Sequence, residues 1–232
     1  MVCVAAWMVL LIMSCGQAPE ANLVAKAAEV DSVWAKGLRV SHNYDSLRTV
    51  QRDLARNYTE RVRLERVKGE GLFALGSLYQ VLGDYGKEQQ ALEKYLNARG
   101  AKDSVAAIRL LQSYLFCDSL HKAERFALER MPALGVVPDF GQCLGLAYGF
   151  FDKGDLAKAE LWVDHALAKS SQEQRYSAVS FKAEIAAARD DLPRATALLK
   201  EELQASKGDE RGAGYLRATL TRLQLPGRRA PS

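Results

Sequence analysis

The sequence predicts an all-α fold assembled from a repeated helix-turn-helix unit, and three observations carry that expectation. The apolar 48% of the 232 residues leans on Ala and Leu, aromatics reach only 8% and prolines number six; that mix favours helices over a β-sandwich. The large residues Tyr79, Tyr114 and Phe150, and then Ala186, recur at intervals of 35, 36 and 36. Short polar turns follow them, Gly83-Asp84, Asp118-Ser119, Gly154-Asp155 and Asp190-Asp191, offering a residue tolerant of left-handed backbone and then a helix N-cap. A chain of this length buries a sizeable core in one domain of about 200 residues.

At the N-terminus, Val2 to Met13 form an unbroken apolar run of 12 residues. At 1.5 Å per residue it spans roughly 18 Å, too little for a hydrocarbon core of about 30 Å, but the right length for the apolar core of a secretory signal. Ser14 followed by Cys15 stands where a processing peptidase would cut. The run Leu11-Ile12-Met13-Ser14-Cys15-Gly16 resembles the bacterial lipobox, with a branched residue three places before the cysteine and a small one directly before it. That resemblance implies that residues 1–14 are a lipoprotein signal peptide and that Cys15 is the lipidation site, carrying several acyl chains that anchor the protein stably. Gly16, in place of Asp after the cysteine, implies the outer membrane, with the chain facing the periplasm. Residues 15–21 then read as the lipidated cysteine and a short polar tether.

Residues 22–225 carry the helices. Asn22 to Val40 and Asp45 to Arg66 form a pair around Val30, Trp34, Leu38, Tyr44, Leu47 and Leu54, with Asp45 as a candidate N-cap. The first repeat copy is Leu72-x-x-Leu75-Gly76-x-x-Tyr79, its turn, and Ala91 with Tyr95; Gly86 stands five places before Ala91, which suggests a loop three residues longer here. Leu110, Leu111 and Tyr114 open the second copy, and Ala123, Phe126 and Ala127 close it. In the third, Leu146, Ala147 and Phe150 precede Ala159, Val163 and Ala166-Leu167; the fourth has Ala183 and Ala186 before Ala195, with Lys182 where the others have leucine. Asp209 to Leu225, with Leu216, Leu220 and Leu223 at helical spacing, is expected to cap the stack, and residues 226–232 to form a disordered tail.

The first copy resembles the W-x₂-L-G-x₂-Y signature of the tetratricopeptide repeat (TPR), and the spacing is close to the 34 residues of that family. The resemblance implies an α-solenoid whose concave groove, lined by the first helix of each repeat, binds an extended peptide or a partner helix. Carried onto this sequence, it places Phe73, Ser77 and Gln80 from the first copy in the groove, and Ile108, Gln112 and Leu115 from the second, with Phe116 adjacent. The third copy contributes Leu144, Tyr148 and Phe151, with Asp152 adjacent, and the fourth Ser180, Glu184 and Ala187. This chain lacks the Lys and Asn set by which chaperone-binding members grip a C-terminal carboxylate, so a mostly apolar segment or amphipathic helix is the expected partner.

Catalytic and metal chemistry find little support. There is no nucleophile elbow, phosphate-binding glycine loop or zinc-protease helix. Cys3, Cys15, Cys117 and Cys143 contain no CxxC pair, and of His42, His121 and His165 only His121 stands at helical spacing from a cysteine, four places after Cys117 with the Asp118-Ser119 turn between them, so neither metal nor cofactor is expected. Glu201-Glu202 and Asp190-Asp191 read as solvated helix-face and turn residues. The net charge of +4, from 32 basic and 28 acidic residues, calls for no nucleic acid, although a pI near 8.8 allows mild attraction to anionic surfaces. The stripe Arg48, Arg52, Arg56 reads as an ion-paired helix face. The expected function is a non-enzymatic, lipid-anchored TPR scaffold for another envelope protein, in outer-membrane or secretion-machinery assembly. Two alternatives are an accessory subunit of an envelope enzyme and a glycan-binding lipoprotein in which Trp162 or Tyr148 stacks on sugar rings.

Overall fold

A left-handed residue ends the first helix of each repeat copy, at Gly83 (φ 73°), Asp118 (φ 54°), Gly154 (φ 77°) and Asp190 (φ 61°). These positions step by the same 35, 36 and 36 residues as the large side chains four places earlier. A computed structural model of the chain describes residues 20, 22–37, 44–99, 103–206 and 209–224, and among these every regular element is a helix. The apolar leader, Cys15 with most of its tether, Leu38, His42 and the tail lie outside the described residues. The chain divides into two compact units, Met1–Cys117 and Asp118–Ser232, at the turn inside the second copy.

In the first unit, α1 (Leu23–Gly37) and α2 (Tyr44–Thr59) pack on each other and on α3 (Glu70–Leu82). Leu23, Ala27, Val30 and Ala55 are buried there beside Gln51, whose Nε2 donates to the Val30 carbonyl at 3.1 Å while its Oε1 accepts the Trp34 indole N–H. Asp45 is not the N-cap, because α2 already begins at Tyr44 and Asp45 lies in its first turn. Nor does this helix run on to Arg66. The chain turns after Thr59 so that Val67 can enter the core, and a short 3₁₀ helix (Leu64–Arg66) is pinned by Lys94 Nζ donating to the Leu64 carbonyl at 2.7 Å.

Between α3 and α4 (Tyr85–Arg99), the Gly83 N–H donates to the Gln80 carbonyl and the Asp84 N–H to the Tyr79 carbonyl, each at 3.0 Å. Asp84 Oδ1 then accepts from Lys87 N at 3.2 Å. The same pattern returns at Gly154-Asp155 and Asp190-Asp191, where each aspartate accepts from the backbone three residues on. Such closures satisfy the orphan carbonyls of one helix and an orphan N–H of the next. The expected longer loop in the first copy is absent: Gly83 makes the turn and Gly86 lies inside α4. The position four residues after the N-cap, held by Ala123, Ala159 and Ala195 elsewhere, is therefore Glu88 here. α5 (Ser104–Phe116), capped by Asp103 Oδ1 accepting from Ala106 N at 3.0 Å, packs against α4 and closes this unit.

The second unit opens with α6 (Leu120–Arg125), a π-helical turn (Phe126–Arg130) and α7 (Met131–Ala133). Pro132 has no N–H to offer the Leu128 carbonyl and its ring crowds that group, so a widened turn precedes it. α8 (Phe140–Asp152) and α9 (Leu156–Leu167) form the third copy, α10 (Gln172–Ala188) and α11 (Leu192–Ala205) the fourth, and α12 (Glu210–Gln224) packs on both α10 and α11. Leu146, Phe150, Trp162 and Val163 fill the third copy; Tyr176, Val179, Leu199 and Leu216 fill the fourth. Each such large apolar side chain contributes roughly 1.5–3 kcal/mol by leaving water. Lys182, standing where the other copies have leucine, reaches out to pair with Asp164.

Candidate binding faces

The first helices of successive copies are neighbours within each unit, and the surfaces they share hold the residues singled out from the sequence. In the first unit, Arg109 of α5 donates from Nη1 to Ser77 Oγ of α3 at 2.7 Å, and its guanidinium carbon stands 4.9 Å from the centre of the Phe73 ring. Phe73 also meets Tyr95 at 5.7 Å between ring centres. Phe73 is thus a half-buried platform for Arg109 rather than an open anchor. Gln80 and Gln112 are exposed, and Ile108 and Leu115 are half-buried. Phe116 is 66% exposed and stacks on Tyr85 with ring centres 5.2 Å apart.

Behind this face lies a polar feature that sequence reasoning missed. Arg109 Nη2 donates to Glu88 Oε1 at 3.0 Å, with the two side chains only 13% and 1% exposed. Glu88 Oε2 and Arg109 Nε are buried without a hydrogen-bond partner. Burial pushes the Glu88 carboxyl above its ordinary value, and the bond from Arg109 partly offsets that. The signal was present in the sequence as the one glutamate at a position otherwise held by alanine, once the turn is set at Gly83.

In the second unit, Tyr148 is 43% exposed, and its ring centre lies 4.0 Å from that of buried Phe181; Phe151, half-buried, meets the same ring edge-on at 5.3 Å. Phe150, between them in sequence, faces the core. Leu144, one turn before Tyr148, is half-buried. The face of the fourth copy is different, because α12 lies over it: Thr219 Oγ1 donates to Ser180 Oγ at 3.4 Å and Arg222 pairs with Glu184. Ser180 is buried, and burial raises the Glu184 carboxyl while Arg222 pulls it back. Burial also raises the Tyr148 hydroxyl, with the nearby Tyr215 and Glu184 adding to the effect.

The remaining chemistry-bearing residues are structural or solvated. Glu202 is not on an exposed face as expected; it is buried, and both its oxygens accept from Arg175 Nε at 3.0 Å. Trp162 is buried with its indole N–H donated to Glu124 Oε1 at 3.4 Å, so it presents no ring to a sugar. Asp190 makes the left-handed turn and Asp191 the N-cap. The Cys143 thiol, buried at the start of α8, is pushed up to about 11, while Cys117 is free and exposed. His121 and His165 are exposed, and among the described residues no group of His, Cys, Asp and Glu is placed to hold a metal ion. No helix of the described residues is long and apolar enough to cross a membrane.

No protein-family model matches the chain, and no curated protein matches it. Among solved structures it is similar to MamA 41-end from Desulfovibrio magneticus RS-1, with a TM-score of 0.53 and 16% identity over 80% of this chain and 97% of that one. That likeness shows the fold. The chain is an all-α protein of TPR-like helix-turn-helix repeats.

Proposed function

We propose that the protein is a non-enzymatic, lipid-anchored scaffold that binds another protein of the bacterial envelope, in outer-membrane or secretion-machinery assembly, on the faces of its first helices. One observation carries this reading: aromatic rings are held partly in solvent against a second ring, Tyr148 on buried Phe181 and Phe116 on half-buried Tyr85. Pre-set rings of this kind lose little entropy on binding and are frequent interface anchors. The apolar and amide side chains around them, Ile108, Leu115, Leu144, Gln80 and Gln112, suit an amphipathic helix or a mostly apolar segment. Cys15 is the residue by which the chain is held to the membrane, facing the periplasm, and the sequence pattern around it is what supports that part.

The test is co-purification from detergent-solubilised membranes. A discrete protein partner should accompany the wild type and be lost with Tyr148→Ala and Phe116→Ala, both of which should fold. Cys15→Ser should remain an unprocessed or soluble precursor without acyl label. Undiminished partner recovery with both aromatic variants would refute the binding faces, and acyl labelling of Cys15→Ser would refute the anchor.

A further inference from the structure

The net charge of the chain is concentrated in one place. Residues 48–68 hold Arg48, Arg52, Arg56, Arg61, Arg63, Arg66 and Lys68 against Asp53, Glu60 and Glu65, a surplus of four that equals the net charge of all 232 residues. All seven basic side chains are exposed. Arg56 pairs with Asp53 at 3.0 Å, well in solvent where such a pair is weak, so the charges of the stretch stay available. The end of the stretch is firmly held: Val67 is buried, Arg66 N donates to the Arg63 carbonyl at 2.9 Å, and Lys94 holds the Leu64 carbonyl.

A second, independent observation ties this turn to the anchor. The backbone N–H of Arg63 donates to Glu20 Oε1 at 3.1 Å, and that bond, with the charges of Arg66 and Arg63, holds the Glu20 carboxyl below its ordinary value. The chain therefore arrives at the basic turn five residues after Cys15. Five residues reach at most about 17 Å when fully extended. An acylated Cys15 in a bilayer would tether the turn no farther than that from the headgroups, which lets it come within the Debye length of about 8–10 Å where each Lys or Arg is drawn to anionic lipid.

We propose that the basic surface ending in Arg61, Arg63, Arg66 and Lys68 docks on anionic lipid headgroups of the membrane that holds Cys15, fixing how the first unit is presented. This rests on the lipid-anchor reading above. Neither the acyl chains nor the turn alone sets an orientation; together they make two points of attachment at one end of the unit.

The test uses the protein as purified from detergent-solubilised membranes, reconstituted into vesicles of zwitterionic lipid, and into the same vesicles with about a third of the lipid anionic. Acetylation rates of Lys68 are read by mass spectrometry with Lys200, exposed on α11, as the reference. Lys68 should react about fivefold more slowly on the anionic vesicles, and the difference should vanish near 1 M salt, where the Debye length is about 3 Å. Arg63→Glu with Arg66→Glu should abolish the difference while the protein still floats with both vesicle types. Flotation with equal Lys68 rates on the two vesicles would overturn the docking surface and leave the anchor standing, and an acidic partner protein would then be the occupant to seek. Failure to float with zwitterionic vesicles, with Cys15 unmodified by mass, would overturn the anchor and the docking surface with it.

Discussion

Removing Arg109 alone should do more harm than removing it together with Glu88. Glu88 is 1% exposed and its one charged partner is Arg109 at 3.0 Å, so Arg109→Met strands a carboxylate in the core of the first unit. Breaking a buried pair on one side costs about 3–5 kcal/mol, whereas replacing both members by apolar residues of similar volume is commonly neutral or stabilising by about 1–4 kcal/mol. The lost stacking on Phe73 adds about 0.5–1 kcal/mol to the single variant. For a unit of this size the single change should lower the melting temperature by more than about 12 °C, and Glu88→Met with Arg109→Met should restore most of it. The pH response gives a second readout. Burial raises the Glu88 carboxyl, while Arg109 and, less strongly, Ser113 lower it, so without Arg109 the raising influence is opposed by Ser113 alone. A carboxylate whose folded pKa exceeds its unfolded one weakens the fold above that folded value and is relieved as pH falls through it. Arg109→Met should therefore regain stability on acidification from pH 7 towards pH 5, and the double variant should show no such recovery. Chemical and thermal melts followed by circular dichroism decide it; equal melting of the single and double variants, without pH dependence, would show that the pair is not buried as described.

Phe150→Ala should cost about 3–5 kcal/mol, because the ring is fully enclosed, while Tyr148→Ala should cost about 1.5 kcal/mol or less, since it loses chiefly one contact with Phe181; melts of equal depth would remove Tyr148 from the binding face. At Gly212 a Cβ would stand 2.1 Å from Tyr176 Cε2, whereas at Gly214 it meets open space. Gly212→Ala should therefore destabilise α12 by about 1–3 kcal/mol and Gly214→Ala stabilise it by about 0.5–1 kcal/mol, the order of the two in denaturant melts being the check. Cys117, free and exposed, should be alkylated at neutral pH long before Cys143, whose buried thiol titrates near 11; modification of Cys143 at the same rate in the native protein would contradict the packing of α8.

The repeat was legible because its period is written in local chemistry. A left-handed turn needs Gly or Asp, the next helix needs an oxygen-bearing cap, and Tyr79, Tyr114 and Phe150 need a place in the core; each requirement leaves a residue type at a fixed offset. The extra loop expected in the first copy came from aligning Ala91 with Ala123 and Ala159, although the matching residue is Glu88. A charged residue at a buried position is recognisable only when its partner is known, and Arg109 lies 21 residues away on another helix. Burial of Trp162 and Glu202 was hidden for the same reason, since Glu124 and Arg175 come from neighbouring elements. Periodicity foretold the capping helix α12 through Leu216, Leu220 and Leu223, but not that it would cover Ser180 and Glu184, because a helix's own pattern does not name the surface it meets.

The claim that the first-helix faces bind a protein is tested most directly by site-specific photocrosslinking in living cells. A photoreactive side chain at Gln112 and at Tyr148, both exposed on first helices, is compared with one at Leu161, exposed on the second helix of the third copy. Gln112 and Tyr148 should each give a discrete protein adduct on illumination, and Leu161 none. Adducts from Leu161 with none from Gln112 and Tyr148 would place binding elsewhere on the molecule and contradict the account.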